Sequence, residues 1–291
     1  MKNNSSKAFS LIELSIVILV IGILIAGVTQ SSILVKKYKL SAAQTITQSS
    51  PVTSIKDLAL WLEPAMENSI TSVTNGAAPQ EGDLVSAWND FNPQLITKIN
   101  PAQATTAAQP TYKTNGIGNL PTLSFDGGDY LETALTAIPA RYSTYTIFLV
   151  WQQNTSGTTQ VIFHQRGADS CSADYAGTYL NTSGYINGWA CGSGDTLASA
   201  YSTSKPYATI YRVDNTQTNN VTVYANGTKT GPTQKTGLSL GATATAIGYG
   251  NNNTYYFRGY ISEVIVFTRA LKDVEITDVR SYLAKKYGFG A

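Results

Sequence analysis

Hydrophobic and polar positions follow two regimes along the chain. From Phe9 to Val28, twenty residues carry a single charge, Glu13, and a helix of that length covers roughly 30 Å, the thickness of a bilayer core. A looser helical stripe continues through Ile33, Leu34, Leu40, Ala43 and Ile46, and Ser50 before Pro51 disfavours further helix. The pattern predicts a helix over 9–50, with a rod of roughly 58 Å from Phe9 to Thr47 that needs packing partners to be stable. From Leu58 the period shortens. The runs "DLALWLE", "LVSAWND", "TLSFDG", "YTIFLVWQQ", "TQVIFHQ", "YATIYRV", "NVTVYANG" and "GYISEVIVF" are β-rich and separated by Gly, Asn, Pro and Asp. They predict an all-β sandwich. Asn226-Gly227 reads as a two-residue hairpin turn, since both positions tolerate positive φ. "NPAQATTAAQP", residues 100–110, is expected to be a surface loop. The closing "LKDVEITDVRSYLAKKYG" places Val274, Ile276, Val279 and Leu283 at near-helical spacing. Acids stand early, Lys285 and Lys286 late, and Gly288 stops a short amphipathic helix.

Composition changes this picture in two ways. Charged residues are 13% of the 291, about half the usual share of roughly 25%, so the surface is built largely from hydroxyls and amides. Without Lys2 and Lys7 the chain has 18 basic and 18 acidic residues, which gives no electrostatic case for nucleic acid. The same hydroxyl-rich, charge-poor composition suggests export, where Cys171 and Cys191 can persist as a disulfide worth roughly 3 kcal/mol. Two buried free thiols are the alternative.

Glu13 needs a reason to stand in an apolar helix, because a carboxylate in a membrane costs roughly 2.5 to 3.5 kcal/mol. A secretory signal peptide has its small-residue cleavage site after the apolar run; here Ala8 precedes it. Cutting there leaves the helix on the mature chain with a free amine at Phe9. Glu13 then lies four positions after that amine on the same helical face. An ammonium on an adjacent subunit neutralises it and fixes the axial offset between helices. "KAFSLIEL" followed by an apolar helix resembles the class III leader and N-terminal helix of type IV prepilins and pseudopilins. The resemblance covers residues 1–50. It implies a leader over 1–8, cleavage between Ala8 and Phe9 by prepilin peptidase, N-methylation of Phe9, and assembly with other pilin or pseudopilin subunits through Glu13. It also implies a single-pass protein of the inner membrane with its head in the periplasm, later on a pilus or the cell surface. Two departures stand out: Ala8 occupies the place where members usually have Gly, and Thr29 and Gln30 occur where many have Pro.

The ordered set "LWLEP", "VSAWND", "PTLSFDGGDYLE", "YTIFLVWQ" and "GYISEVIVFTRALKDVEITDVRSYLAKKYG" resembles the concanavalin A-like lectin/glucanase, or laminin-G-like, jelly roll. It spans residues 54–288, so the expected fold is a mainly β jelly-roll head on a transmembrane α-helix. The resemblance admits glycan binding, glycan hydrolysis or a bare scaffold. Hydrolysis on this fold uses carboxylates from a Glu-x-Asp-x-x-Glu strand, about 5 Å apart. "EGDLVS", residues 81–86, lacks the third acid, and its Gly suggests a turn. His164 stands alone as a histidine and reads as a strand residue. Asp126 and Asp129 in "FDGGDY" are candidate Ca²⁺ ligands, a turn being the simpler reading. Tyr185, Asn187 and Trp189 in "GYINGWAC" are candidate carbohydrate contacts, whereas Trp61, Trp88 and Trp151 read as core. The expected protein is a non-enzymatic, minor pilin-like subunit that displays a lectin-like domain to a glycan or surface protein. A type II secretion pseudopilin and a tethered carbohydrate-active enzyme are the rivals.

Overall fold

The computed structural model describes residues 11–72, 78–139, 144–166, 176–190, 196–234, 244–250 and 255–289. The chain divides into two compact units, residues 1–42 and 43–291. The first consists of most of α1 (Leu11–Gln48), a helix of 38 residues. Its large apolar side chains, from Leu11 at 85% exposure through Val28, Ile33 and Val35, are exposed. The hydroxyls on this surface are turned back onto the helix: Ser15 donates to the Ile12 carbonyl at 2.8 Å, Thr29 to Ile25 at 2.9 Å and Ser31 to Gly27 at 2.9 Å. Back-bonding of this kind satisfies the polar groups internally, which a hydrocarbon environment demands.

Among the described residues the second unit has sixteen strands: β1 (Leu58–Leu62), β2 (Ile70–Ser72), β3 (Val85–Trp88), β4 (Thr111–Lys113), β5 (Thr122–Asp126), β6 (Leu131–Thr133), β7 (Thr144–Gln153), β8 (Gln160–Arg166), β9 (Ala176–Leu180), β10 (Tyr185–Ala190), β11 (Thr196–Ala200), β12 (Pro206–Asp214), β13 (Val221–Ala225), β14 (Thr228–Thr233), β15 (Ala244–Ile247) and β16 (Arg258–Phe267). The first large sheet runs β14-β13-β12-β7-β16-β5-β4, and the second runs β11-β10-β9-β8-β15-β6. β16 is the hub. It pairs along one edge with β7, while β5 takes its first half, Arg258–Ile261, and β1 its second, Val264–Phe267, on the other edge. All these pairings are antiparallel, as a jelly roll requires. The expected hairpin joins β13 to β14, with Asn226 at φ 44° and Gly227 at φ 88°.

Side-chain alternation in the first sheet builds two cores. Ile147, Leu149, Trp151, Val264 and Val266 face the second sheet, with Leu180, Ile186 and Ile247 opposite. Phe148, Val150, Ile265 and Phe267 face the other way and pack with Ile276, Val279 and Leu283 of α2 (Asp273–Tyr287). Ala43 and Val52 join that second layer, so the last turns of α1 belong to the head's own core. Both faces of the sheet are covered, which is why its strands read as continuous apolar runs. Trp61, Trp88 and Trp151 are fully buried, as expected of core residues.

Three local features refine these expectations, and the first corrects one. Val274 does not share the buried stripe of α2; it is 62% exposed, and the stripe is Ile276, Val279, Tyr282, Leu283 and Tyr287. Lys286, which does stand in the last turn of α2, is buried there with Glu63 and Glu263 opposite it. The segment 100–110 is an ordered surface loop, exposed from Ala104 to Ala107 and tied down at Ala102 and Gln103. Ala102 exchanges backbone hydrogen bonds with Glu132 at 2.8 and 3.1 Å, and Gln103 N donates to Ser86 at 2.8 Å.

Candidate functional site

The assembly residues divide between what is described and what is not. Ala8 and Phe9 lie outside the described residues, as do Cys171 and Cys191. Glu13 stands in the opening turns of α1 among exposed apolar neighbours, Leu11, Ile12, Leu14, Ile16 and Val17.

In the head, the outer face of the second sheet holds the sugar-contact candidates. A Cβ on Gly188 would lie 1.8 Å from the Tyr211 ring of the first sheet, so Ile186 and Gly188 face the core and Tyr185 and Asn187 take the opposite face. Tyr185 is 40% exposed, but Asn187 is fully buried and donates through Nδ2 to the Tyr185 carbonyl at 3.1 Å. Its amide is not offered to solvent. The Trp189 backbone pairs with Gly177; its side chain is outside the described residues. One row across this face runs Gly177, His164, Ala246, Glu132 and Ala102. His164 is fully buried there.

At the β6 edge of that row three tyrosines gather that no sequence motif connects. Tyr130 and Tyr249 have ring centroids 4.4 Å apart, Tyr130 and Tyr256 6.2 Å, and Tyr249 and Tyr256 6.0 Å with near-parallel planes. Tyr249 is buried and donates its hydroxyl to Glu132, while Tyr130, Tyr256 and Glu132 are half-buried. Burial, with the nearby Tyr130 and Glu132, raises the Tyr256 phenol above its ordinary value, so that ring stays neutral at physiological pH. Flat rings beside a carboxylate and phenol hydroxyls are the groups that grip a sugar. Their separation in sequence hides the site; only the pairing of β15 with β6 assembles it.

Asp126 and Asp129 act as turn caps. Asp129 Oδ2 accepts the Asp126 N–H at 2.8 Å, and Asp126 Oδ1 accepts the Gly128 N–H at 2.8 Å. Burial, reinforced by the Asp126 carboxylate, pushes Asp129 up to about 6. Among the described residues no group of three or more His, Cys, Asp or Glu is placed to hold a metal ion. Glu81 and Asp83 also serve a turn: Glu81 accepts the Thr114 N–H at 2.7 Å and pairs with Lys113 at 3.2 Å, and Asp83 accepts the Gln80 N–H at 2.8 Å.

Comparison with family models matches the prokaryotic N-terminal methylation motif to residues 3–29, and the concanavalin A-like lectin/glucanases superfamily to residues 125–277, just over half of the chain. The chain belongs to the concanavalin A-like lectin/glucanase superfamily. No curated protein sequence matches it. Among solved structures, the sialidase of Trypanosoma rangeli is 13% identical, with a TM-score of 0.51 over 88% of this chain and 39% of the sialidase. Domain 4 of AbnA, an extracellular GH43 arabinanase from Geobacillus stearothermophilus solved with arabinotriose, is 15% identical. Its TM-score is 0.47 over 77% of this chain and 98% of that domain. At such identities the likeness is one of fold alone, and the chain spans well under two thirds of the sialidases.

The motif at 3–29 gives this superfamily member a type IV pilin-like or pseudopilin-like N-terminal segment. The apolar helix of the same segment is long enough to anchor it in a membrane. In the lectin-like sandwich, the carboxylates of Glu63 and Glu263 meet on one ammonium, Lys286, at 2.8 and 2.9 Å. All three are sealed from solvent, so this acid pair is out of reach of a polysaccharide.

Proposed function

We propose that this chain is a minor subunit of a type IV pilus-like filament that carries a lectin-like head for adhesion or surface recognition. The observation that carries the reading is the surface of α1. Its apolar side chains are exposed along the whole span and its hydroxyls are satisfied within the helix, so lipid covers it before assembly and other subunits afterwards. Cleavage between Ala8 and Phe9 frees the amine that is methylated, and Glu13 pairs with that amine on the neighbouring copy. Pairing offsets most of the cost of a carboxylate in hydrocarbon and sets the axial register.

The head, over residues 54–288, recognises a glycan or a glycosylated surface protein through Tyr130, Tyr256 and Glu132, with Tyr249 as the buried ring that braces them. The bulk of such a head disfavours dense repetition, which supports a minor or tip-proximal position. The sealing of Glu63 and Glu263 weighs against a hydrolase. The test has two arms. Glu13→Ala should abolish incorporation into filaments while leaving the membrane-inserted precursor intact, and normal incorporation would refute the assembly role. Wild-type chain in detergent micelles should bind immobilised glycans, with Tyr256→Ala losing about tenfold or more in affinity, as expected for one lost stacking contact of roughly 1.5 kcal/mol. Equal binding by both chains would refute the assignment of the site.

A further inference from the structure

The Lys286 side chain is wholly enclosed between the first sheet and α2. Its Nζ donates to Glu63 Oε1 at 2.8 Å, to Glu263 Oε2 at 2.9 Å and to the Tyr282 hydroxyl at 3.0 Å, one acceptor for each proton of an ammonium. Glu263 is fully served. Its Oε1 accepts from Trp61 Nε1 at 2.8 Å and the Tyr282 hydroxyl at 2.7 Å, and its Oε2 accepts from Lys286 and from the Tyr287 hydroxyl at 2.9 Å. Glu63 is not. Its Oε1 accepts from Lys286 and from the Ala65 N–H at 3.1 Å, but its Oε2 is buried with no hydrogen-bond partner among the described residues.

Two carboxylates and one ammonium in an apolar interior form a poor stabilising device, since desolvating the ions offsets most of their attraction. The same arrangement is well suited to a reaction. An amine and a carboxyl held in contact, with a second carboxylate touching the amine and water excluded, gain the effective molarity of an intramolecular pair. We propose that Lys286 Nζ condenses with the side-chain carboxyl of Glu63 to form an intramolecular amide, with Glu263 managing the protons.

The step balances without any co-reactant. Glu263 takes one proton from the ammonium, and the neutral Nζ adds to Cδ of the protonated Glu63 carboxyl. A second proton leaves the nitrogen through Glu263 onto the Oε2 hydroxyl, which departs as water. The products are one C–N bond, one water and a protonated Glu263. Burial pushes the Glu63 carboxyl up despite the attraction of Lys286, with the Glu263 charge adding to the rise, which favours the neutral acid that an amine can attack. In the product the amide oxygen retains the Ala65 N–H, the amide N–H faces Glu263, and the unpartnered oxygen is gone. The new bond ties the residue after β1 to α2 and so closes almost the entire head between its two ends. Load entering through the last turns of α1 then meets a covalent staple immediately after β1.

The test is peptide mass spectrometry on the full chain, purified in detergent and held folded at neutral pH. Trypsin should leave residues 57–98 joined to residues 286–291 as one branched peptide, lighter by one water than the two parts. Separate linear peptides from the wild-type chain, with cleavage after Lys286, would overturn the proposal. Glu63→Ala should remove the branched species. Glu263→Gln keeps both reacting groups and should lower its yield by tenfold or more at a fixed time; undiminished yield there would overturn the role of Glu263. Because the wild-type chain gives the primary readout, the outcome does not depend on any variant folding.

Discussion

Asp90 offers a sharp test of how the head is held where the chain leaves α1. Its Oδ1 accepts the N–H groups of Trp61 at 3.0 Å and Asn92 at 2.9 Å, and its Oδ2 accepts that of Ile99 at 3.3 Å. The cap extends outward through amides. Asn92 donates to the Leu58 carbonyl at 2.8 Å, and Gln94 donates to the carbonyls of Thr53 at 3.0 Å and Ile55 at 2.7 Å. Asp90→Ala strands three buried N–H groups. At about 1 to 3 kcal/mol for each group left unsatisfied, with the long Ile99 contact counting least, the gross loss is about 4 kcal/mol. Removing a carboxylate that burial already penalises returns about 1 kcal/mol, so the expected net loss is about 3 kcal/mol. Asp90→Asn retains Oδ1 and sets an amide N–H against that of Ile99, for a loss of about 1 to 2 kcal/mol. The pH dependence has a definite sign. Burial raises the Asp90 carboxyl above its ordinary value, so the native state binds that proton more tightly than the unfolded chain and wild-type stability falls as pH rises through this interval. The gap between wild type and Asp90→Asn should therefore be wider near pH 4 than at pH 7. Urea unfolding followed by tryptophan fluorescence reads these differences. An Ala variant within 0.5 kcal/mol of wild type (about the scatter of a neutral surface change), or an Asn variant as damaged as Ala, would refute the reasoning.

Two further expectations concern other parts of the head. Arg269 grips Glu275 through two bonds of 2.8 and 2.6 Å, and the Lys272 N–H adds a third at 2.8 Å; the Arg269 bonds lead in holding the Glu275 carboxyl down at about 2. That stability is present above the ordinary glutamate value and is lost as pH falls toward 2, so Glu275→Gln should cost about 1 to 2 kcal/mol at pH 7. The difference should close near pH 2, as acid titrations of both chains by circular dichroism can check. Gly188→Ala drives a methyl group to 1.8 Å from the buried Tyr211 ring, itself packed against Tyr145, and should lower stability by about 3 kcal/mol; an unchanged thermal midpoint would show that Gly188 does not face the core.

Much of this architecture was legible in local chemistry. The twenty-residue apolar run with Glu13 specified a membrane-length helix, because backbone and side-chain demands in hydrocarbon are met within the segment itself. Asn226-Gly227 specified a hairpin, because positive φ at both positions is a property of those residues alone. The early acids, late lysines and Gly288 of α2 marked both of its ends. Periodicity also located the major strands, although burial on both faces left "YTIFLVWQQ" with no alternation to show which residues face which core.

What lies between distant segments was decided by the tertiary structure. The register shift in β16 between Ile261 and Glu263 puts Glu263 on the α2 side, and β1 brings Glu63 to the same place, so Lys286 is enclosed rather than solvated. No window of sequence contains these partners. The same holds for Tyr130, Tyr249 and Tyr256, which meet only because β15 lies beside β6, and for Asn187, whose strand position is legible but whose burial depends on what covers its face. Secondary structure follows from interactions within a few residues, whereas the charge state, exposure and neighbours of a side chain follow from which strands the folded sheets place side by side.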